Sequence, residues 1–394
     1  MELISDWMLR VRRLLFLASA MVFFDVAFYA AIAPLLPDYV DQFGLSNAQA
    51  GILAAAYAAG TLLASLPGGL IATRAGPRRT VIGGLLLLGA SSVVFGFGGT
   101  IAVLDLARFA QGVAGALIWS GALTWLITTA PPERRGSVIG TALGTAIAGA
   151  LLGPVIGSLA AEIGTEAVFG AVLAISVLLA AFAARLPEAG PPERQPLREV
   201  AAIMLSRPIL VATAFVAVPS LMFGAVEVLV PLRIDEFGGG HAAIAGGFIA
   251  GAGLEAALAP IAGRYSDRIG RRFPFVVGIG ICACAMIGIA AAQALGPVLA
   301  ALIVAALGSG ICFSPALTTL SETADSSRLH QGYAAGLSNM AWAAGQTLGA
   351  LAGGAASSAA GYTLPSVAIA VLLFATAAYA RHALDPPLAR PVPG

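Results

Sequence analysis

The chain is a nearly unbroken series of apolar runs, each long enough to cross the ~30 Å hydrocarbon core of a bilayer at about 1.5 Å per helical residue. Proline, glycine and charge punctuate it into twelve such runs, at 14–37, 48–72, 80–98, 101–127, 137–161, 166–185, 208–233, 242–263, 274–293, 297–321, 332–358 and 362–381. Only 10% of the 394 residues are charged and 59% are apolar, against about 25% charged in a soluble domain. A cytosolic enzyme, a nucleic-acid binder and a secreted disulfide scaffold are thereby excluded, and little chain is left for a soluble catalytic domain. The first run mimics a signal-peptide cleavage site at Ala31-Ile32-Ala33. It is too long for a signal h-region, carries Asp25 and is followed by Pro34, so it reads as a retained helix.

Arginine placement orients the spans. All 21 basic residues are arginine, a bias that points to a GC-rich bacterial genome. With the N-terminus inside, nineteen fall on the inner side: Arg10, Arg12, Arg13, Arg74, Arg78, Arg79, Arg134, Arg135, Arg185, Arg194, Arg198, Arg207, Arg264, Arg268, Arg271, Arg272, Arg328, Arg381 and Arg390. Arg233 alone falls outside, and Arg108 lies within a span. The positive-inside rule then predicts a bacterial cytoplasmic membrane protein with both termini cytoplasmic. The longest connection is proline-rich and polar, which divides the chain into residues 1–185, a linker at 186–207, and residues 208–394.

The two parts repeat each other. At an offset of 196, Gly112, Gly136, Gly140, Gly149, Gly153 and Gly157 land on Gly308, Gly332, Gly336, Gly345, Gly349 and Gly353. At an offset of 194, Gly69, Arg74, Gly76 and Arg78 match Gly263, Arg268, Gly270 and Arg272. The expected fold is all-α and membrane-integral: twelve transmembrane helices in two pseudo-symmetric six-helix bundles, an arrangement typical of transporters.

No cofactor or metal is expected. Cys282, Cys284 and Cys312 lie in apolar runs without a C-x-x-C spacing, and His241, His330 and His382 fall at loops or helix ends.

Motifs sharpen the reading. Residues 263–272 read Gly-Arg-Tyr-Ser-Asp-Arg-Ile-Gly-Arg-Arg. Gly263 permits close helix approach, Asp267 can pair with arginine, Gly270 allows a tight reversal, and Arg271 and Arg272 hold the loop inside. The first-half counterpart has Thr73 in place of the aspartate. This string resembles the loop signature of the major facilitator superfamily, which implies a latch that steadies the outward-facing state. The run Arg108-Phe-Ala-Gln111-Gly112 is similar to that family's R-x-x-Q-G element. An arginine in a span costs about 2.5–3.5 kcal/mol on insertion scales, so it should have a use. Asp105, its i,i+3 neighbour, can neutralise it. A structural ion pair and a role in proton relay both remain open. Gly149, Gly153, Pro154 and Gly157 form a flat helix face with a kink, similar to the G-x-x-x-G-P-x-x-G element of the superfamily's antiporters, with Ser158 at the final glycine. Asp25 in the first span and Glu227 in the seventh resemble acidic positions of the multidrug–proton antiporters and vesicular amine transporters. Asn339 stands near a place where the vesicular group has an aspartate.

Asp25, Glu227 and Glu255 are carboxylates within spans whose one basic companion is Arg108. A carboxylate in an apolar crevice can hold a proton or an organic cation, and that mutual exclusion is the chemistry of antiport. Phe28, Tyr29 and Phe223 lie three or four residues from Asp25 or Glu227, where they can either stack on a cationic cargo or simply pack. Glu255 reads as a second proton site or a structural residue, and Glu322 as an interfacial residue facing water. The expected function is a proton-coupled exporter of lipophilic or cationic small molecules, working as a monomer in the bilayer without nucleic acid. A transporter of a neutral or anionic metabolite, such as a sugar or amino-acid product, is the alternative. A non-transporting membrane enzyme or receptor is more remote, because no nucleophile–base pair or phosphate loop is present.

Overall fold

The computed structural model describes residues 2–130, 135–188, 195–329 and 331–384. Glu133, Arg134, Arg194, His330 and Arg390 lie outside them, as do the side-chain surroundings of residues 1–10, 131–140, 143, 197 and 330–332. The described residues form helices and no strand, as hydrocarbon demands of segments that must satisfy every backbone N–H and C=O internally. In chain order these are α1 (Glu2–Ala30), α2 (Ile32–Phe43), α3 (Asn47–Arg74), α4 (Pro77–Gly96), α5 (Ile101–Thr129), α6 (Arg135–Ile163), α7 (Thr165–Arg185), α8 (Leu197–Met204), α9 (Arg207–Glu236), α10 (His241–Ile269), α11 (Arg272–Ala291), α12 (Leu295–Ser326), α13 (Gln331–Ala360) and α14 (Thr363–Ala383).

Eleven helical stretches among the described residues are long and apolar enough to span, with α1 and α2 acting as one rod at Val11–Phe43. The exception among the expected spans is α13. Its 30 residues are long enough, but Asn339, Gln346 and a run of glycines and alanines dilute its apolarity. It is an interior helix, packed on α3 and α9. Two departures from the sequence reading have local causes. The first span breaks at Ala31, because Pro34 offers no N–H to the Ala30 carbonyl. The second part of the linker coils into α8, where Val200, Ile203 and Met204 pack onto the second-half core.

The repeat is visible in packing. Methyl groups built at Gly149 and Gly153 of α6 would strike the α1 carbonyls of Phe23 and Ala27, and one at Gly157 the carbonyl of Ala31 at the break. Equivalent groups at Gly345 and Gly349 of α13 would strike the α9 carbonyls of Ala217 and Leu221, and Gly353 faces Ala225. Both loop glycines, Gly76 and Gly270, adopt positive φ, 97° and 93°. One pairing fails. Gly112 lies on Tyr57 of α3, whereas Gly308 lies on Gly278 and Cys282 of α11. Ala114, facing Gly84, is the contact equivalent of Gly308, which faces Gly278.

Two apolar cores result, one in α1–α7 and one in α8–α14. The first also takes in Val228, Leu232 and Ala350 from the second half. Close contacts between halves gather at the end away from the arginines. There Gly51 meets Ala350, Gly354 meets the Asn47 carbonyl, and the His241 ring lies 2.8 and 2.9 Å from the Asp38 carboxylate oxygens. Ser158 Oγ donates to the His241 carbonyl at 3.4 Å in the same region. Arg233, the one arginine at this end, is held within the second half by Glu236 at 2.7 Å and the Ala292 carbonyl at 3.0 Å.

Candidate functional site

Where α1 stops, its last carbonyls have no helical partners. The Arg108 guanidinium reaches from α5 to them, donating to the Tyr29 carbonyl at 3.2 Å and the Phe28 carbonyl at 3.4 Å. A cation at a helix C-terminus also suits the helix dipole. Arg108 is 1% exposed, and its Nη1 donates to Gln111 Oε1 at 3.2 Å. The rings of Tyr57, Tyr29 and Phe95 lie 5.2, 5.9 and 6.0 Å from it. Asp105 does not pair with it. The side chain of Arg108 turns toward the break in the first span instead, leaving Asp105 Oδ1 buried without a hydrogen-bond partner. The expected i,i+3 ion pair is therefore absent, and α5 spends its arginine on α1.

Asp25, also 1% exposed, is held within its own half. Tyr57 Oη of α3 donates to one carboxylate oxygen at 2.8 Å, and Trp119 Nε1 of α5 donates to the other at 3.1 Å. Gly115 makes the room, since a methyl group there would sit 2.9 Å from Asp25 Oδ1.

Glu227 on α9 is 4% exposed and is satisfied from the opposite half. Tyr29 Oη donates to it at 2.7 Å and accepts from Gln346 Nε2 of α13 at 2.8 Å. Gly224 lets α13 approach closely enough to place Gln346 there. Trp342 meets the Tyr29 ring edge-on at 5.5 Å, and Tyr57 lies 4.8 Å from it. Gln346 Oε1 is buried with no hydrogen-bond partner, an acceptor left over in the middle of the group.

Asp25, Arg108, Tyr29 and Glu227 thus come together from three helices and both halves. The other expected site residues separate from them. Glu255 is on α10 beside Gly310 of α12 and makes no hydrogen bond or ion pair with another described residue. Phe28 packs into the first-half core, 5.8 Å from Phe169, and Phe223 packs against the second-half core. Each packs onto the core of its own half although it lies within one helical turn of its acid. The aromatic surfaces come from Tyr57, Trp119 and Trp342, which sequence reading centred on charge passes over. Their signal was the rarity of tryptophan and glutamine in alanine- and glycine-rich spans.

The two basic-end loops are tied differently. In the second half, Asp267 pairs with Arg271, whose other nitrogen meets Glu322 at 2.8 Å. Those hydrogen bonds, Glu322's first, hold the guanidinium still more firmly in its charged form. Glu322 is therefore a partner in the latch as well as an exposed interfacial group. Gly263 sits close to Ser314 of α12, while Arg268 is exposed and Arg272 half-buried. In the first half Gly69 faces open space, Arg74 is exposed, and Thr73 merely hydrogen-bonds the Leu70 carbonyl at 3.0 Å. Arg78 reaches instead beyond the end of α7, to the Leu186 carbonyl at 3.0 Å and Glu188 at 3.1 Å. Pro154 lies inside α6, next to Gly153 of the glycine face.

Comparison with known proteins places this geometry. Residues 15–333 match the Major Facilitator Superfamily. The MFS-type transporter ppzB of Metarhizium majus is 32% identical over 126 residues, 30% of this chain and 27% of that protein. Quinolone resistance protein NorA of Staphylococcus aureus is 28% identical over 109 residues, 28% of each chain. The matched stretch thus spans between a quarter and a third of these relatives. A bacterial homolog of the human lysosomal transporter Spinster, solved in inward-facing form, superposes with a TM-score of 0.78 when occupied and 0.74 when unoccupied. At 17% and 16% identity, these matches cover 94% and 95% of this chain and 96% and 97% of those chains, and they show a shared fold.

Proposed function

Since the chain belongs to the major facilitator superfamily and is a multi-pass membrane transporter rather than an enzyme, we propose that it is a proton-coupled exporter of lipophilic cations. The observation that carries this is the charge count at the centre. Two buried carboxylates face one arginine, so Arg108 can balance only one of Asp25 and Glu227. The remaining negative charge suits a proton or a cationic cargo, one at a time. Tyr57, Trp119 and Trp342 offer π-faces to such a cargo, and the unused acceptor on Gln346 suits an N–H donor. The partial likeness to a protein named for quinolone resistance supports drug-like cargo, and the glycine–proline face of α6 supports export. A charge crossing 100 mV supplies about 2.3 kcal/mol, enough to drive appreciable accumulation.

The arginine-rich end is taken as cytoplasmic, with both termini there. Because the halves meet most closely at the opposite end, this state is sealed outside and corresponds to the inward-facing one. Transport then requires opening the Asp38–His241 and Gly51–Ala350 contacts while the basic end closes.

The test is cargo movement in proteoliposomes under an imposed pH gradient, comparing the parent with Asp25→Asn and Glu227→Gln. Each substitution should reduce gradient-driven transport at least tenfold. Unchanged proton-driven movement in both variants would show that these carboxyls are not the coupling groups.

A further inference from the structure

We propose that a groove on the outer flank of the second half, between α9, α12 and α14, binds an anionic phospholipid from the leaflet at the basic end. Two adjoining hollows of about 340 and 440 Å³ share Arg207, Val211, Phe215 and Tyr379 as lining. The groove starts at Arg207, the first residue of α9, and reaches Val218. Eleven residues of helix rise about 16 Å, roughly half of the ~30 Å hydrocarbon core. The groove is therefore one leaflet deep, with its charge at one end and mostly apolar walls interrupted by Thr319, Thr323 and Thr376.

Charge complementarity selects the headgroup. Arg207 is exposed and makes no ion pair with another described residue. The last turn of α14 adds His382, exposed and adjacent in sequence to Ala383 at the groove mouth. Among the described residues, no acidic side chain lines either hollow. Tyr379, 47% exposed, presents a ring with a polar tip near the headgroup level, where such residues settle. A zwitterionic lipid would fill the same slot without the electrostatic gain, which amounts to roughly fivefold in affinity for each basic group near a charged surface.

Native mass spectrometry of the purified chain tests this with added phosphatidylglycerol, phosphatidylcholine or free glycerol phosphate. Phosphatidylglycerol should be retained in preference to phosphatidylcholine, and free glycerol phosphate should not displace it. Arg207→Gln should lower that preference about fivefold. Ala214→Trp, which fills the groove from an exposed wall position, should reduce retention of both lipids. Equal retention of the two lipids by the parent, an unaltered preference in Arg207→Gln, unaltered retention in Ala214→Trp, or displacement by the free headgroup would each overturn the assignment. Both altered positions are exposed, and thermal unfolding of each variant confirms that the fold is intact.

Discussion

Asp25 and Glu227 are equally buried acids on helices related by the internal repeat, yet their settings differ in kind. The glycine contacts pair Phe23 with Ala217 and Ala27 with Leu221, so the counterpart of Asp25 is Pro219 and that of Glu227 is Ala33. Neither acid has an acidic twin. Asp25 draws both of its donors, Tyr57 and Trp119, from its own half. Glu227 draws its donor, Tyr29, from the other. If the halves move as bodies, the surroundings of Asp25 travel with it while those of Glu227 are exchanged. The duplicated scaffold repeats its backbone contacts and places its chemistry asymmetrically, so only one of the two acids reports on the relation between halves.

Three experiments would break or sharpen that contrast. The largest effect is expected from Arg108→Ala, which removes the cap on α1 and leaves both acids without a balancing charge. A loss of about 3–5 kcal/mol, typical of a broken buried charge arrangement, should appear as a sharply lowered unfolding temperature in detergent. A near-normal melting curve would mean that Arg108 holds neither the break nor the acids.

Next comes the pair Tyr29→Phe and Trp119→Phe. Each removes one hydrogen bond to a carboxyl group, about 1.5–3 kcal/mol if that group is charged. Only the first removes a bond across the halves. Distances between spin labels on α3 and α13 should broaden toward the open arrangement in Tyr29→Phe and stay at parent values in Trp119→Phe. Identical responses would erase the distinction between the two acids.

The smallest effects belong to the loops. Glu188→Ala frees Arg78 in the first half, and Glu322→Ala loosens the Asp267–Arg271 latch in the second. Each partly exposed pair contributes about 0–1 kcal/mol, so melting temperatures should shift by only a few degrees at most. Transport rates should change more for Glu322→Ala, whose loop ties two helices, if the latches govern the conformational cycle. The reverse ranking would place the working latch at Arg78 and Glu188.

The sequence by itself determined the membrane-spanning class, the run of helices and the two-fold repeat, because hydrocarbon imposes helical backbone pairing and a minimum length on each apolar run. It also singled out Asp25, Arg108 and Glu227 as candidates, since ionised groups are costly in spans and therefore conspicuous. Only the tertiary structure decided the partners of these groups. Arg108 turned from Asp105, three residues away, to carbonyls exposed by a helix break some eighty residues earlier. Tyr57, Trp119 and Gln346 became part of the centre because α3, α5 and α13 bring them there, and Phe28 and Phe223 left it by facing their own cores. Periodicity along a helix fixes which residues share a face. What that face meets depends on how close the glycines let its neighbours come, and that is a property of the packed bundle.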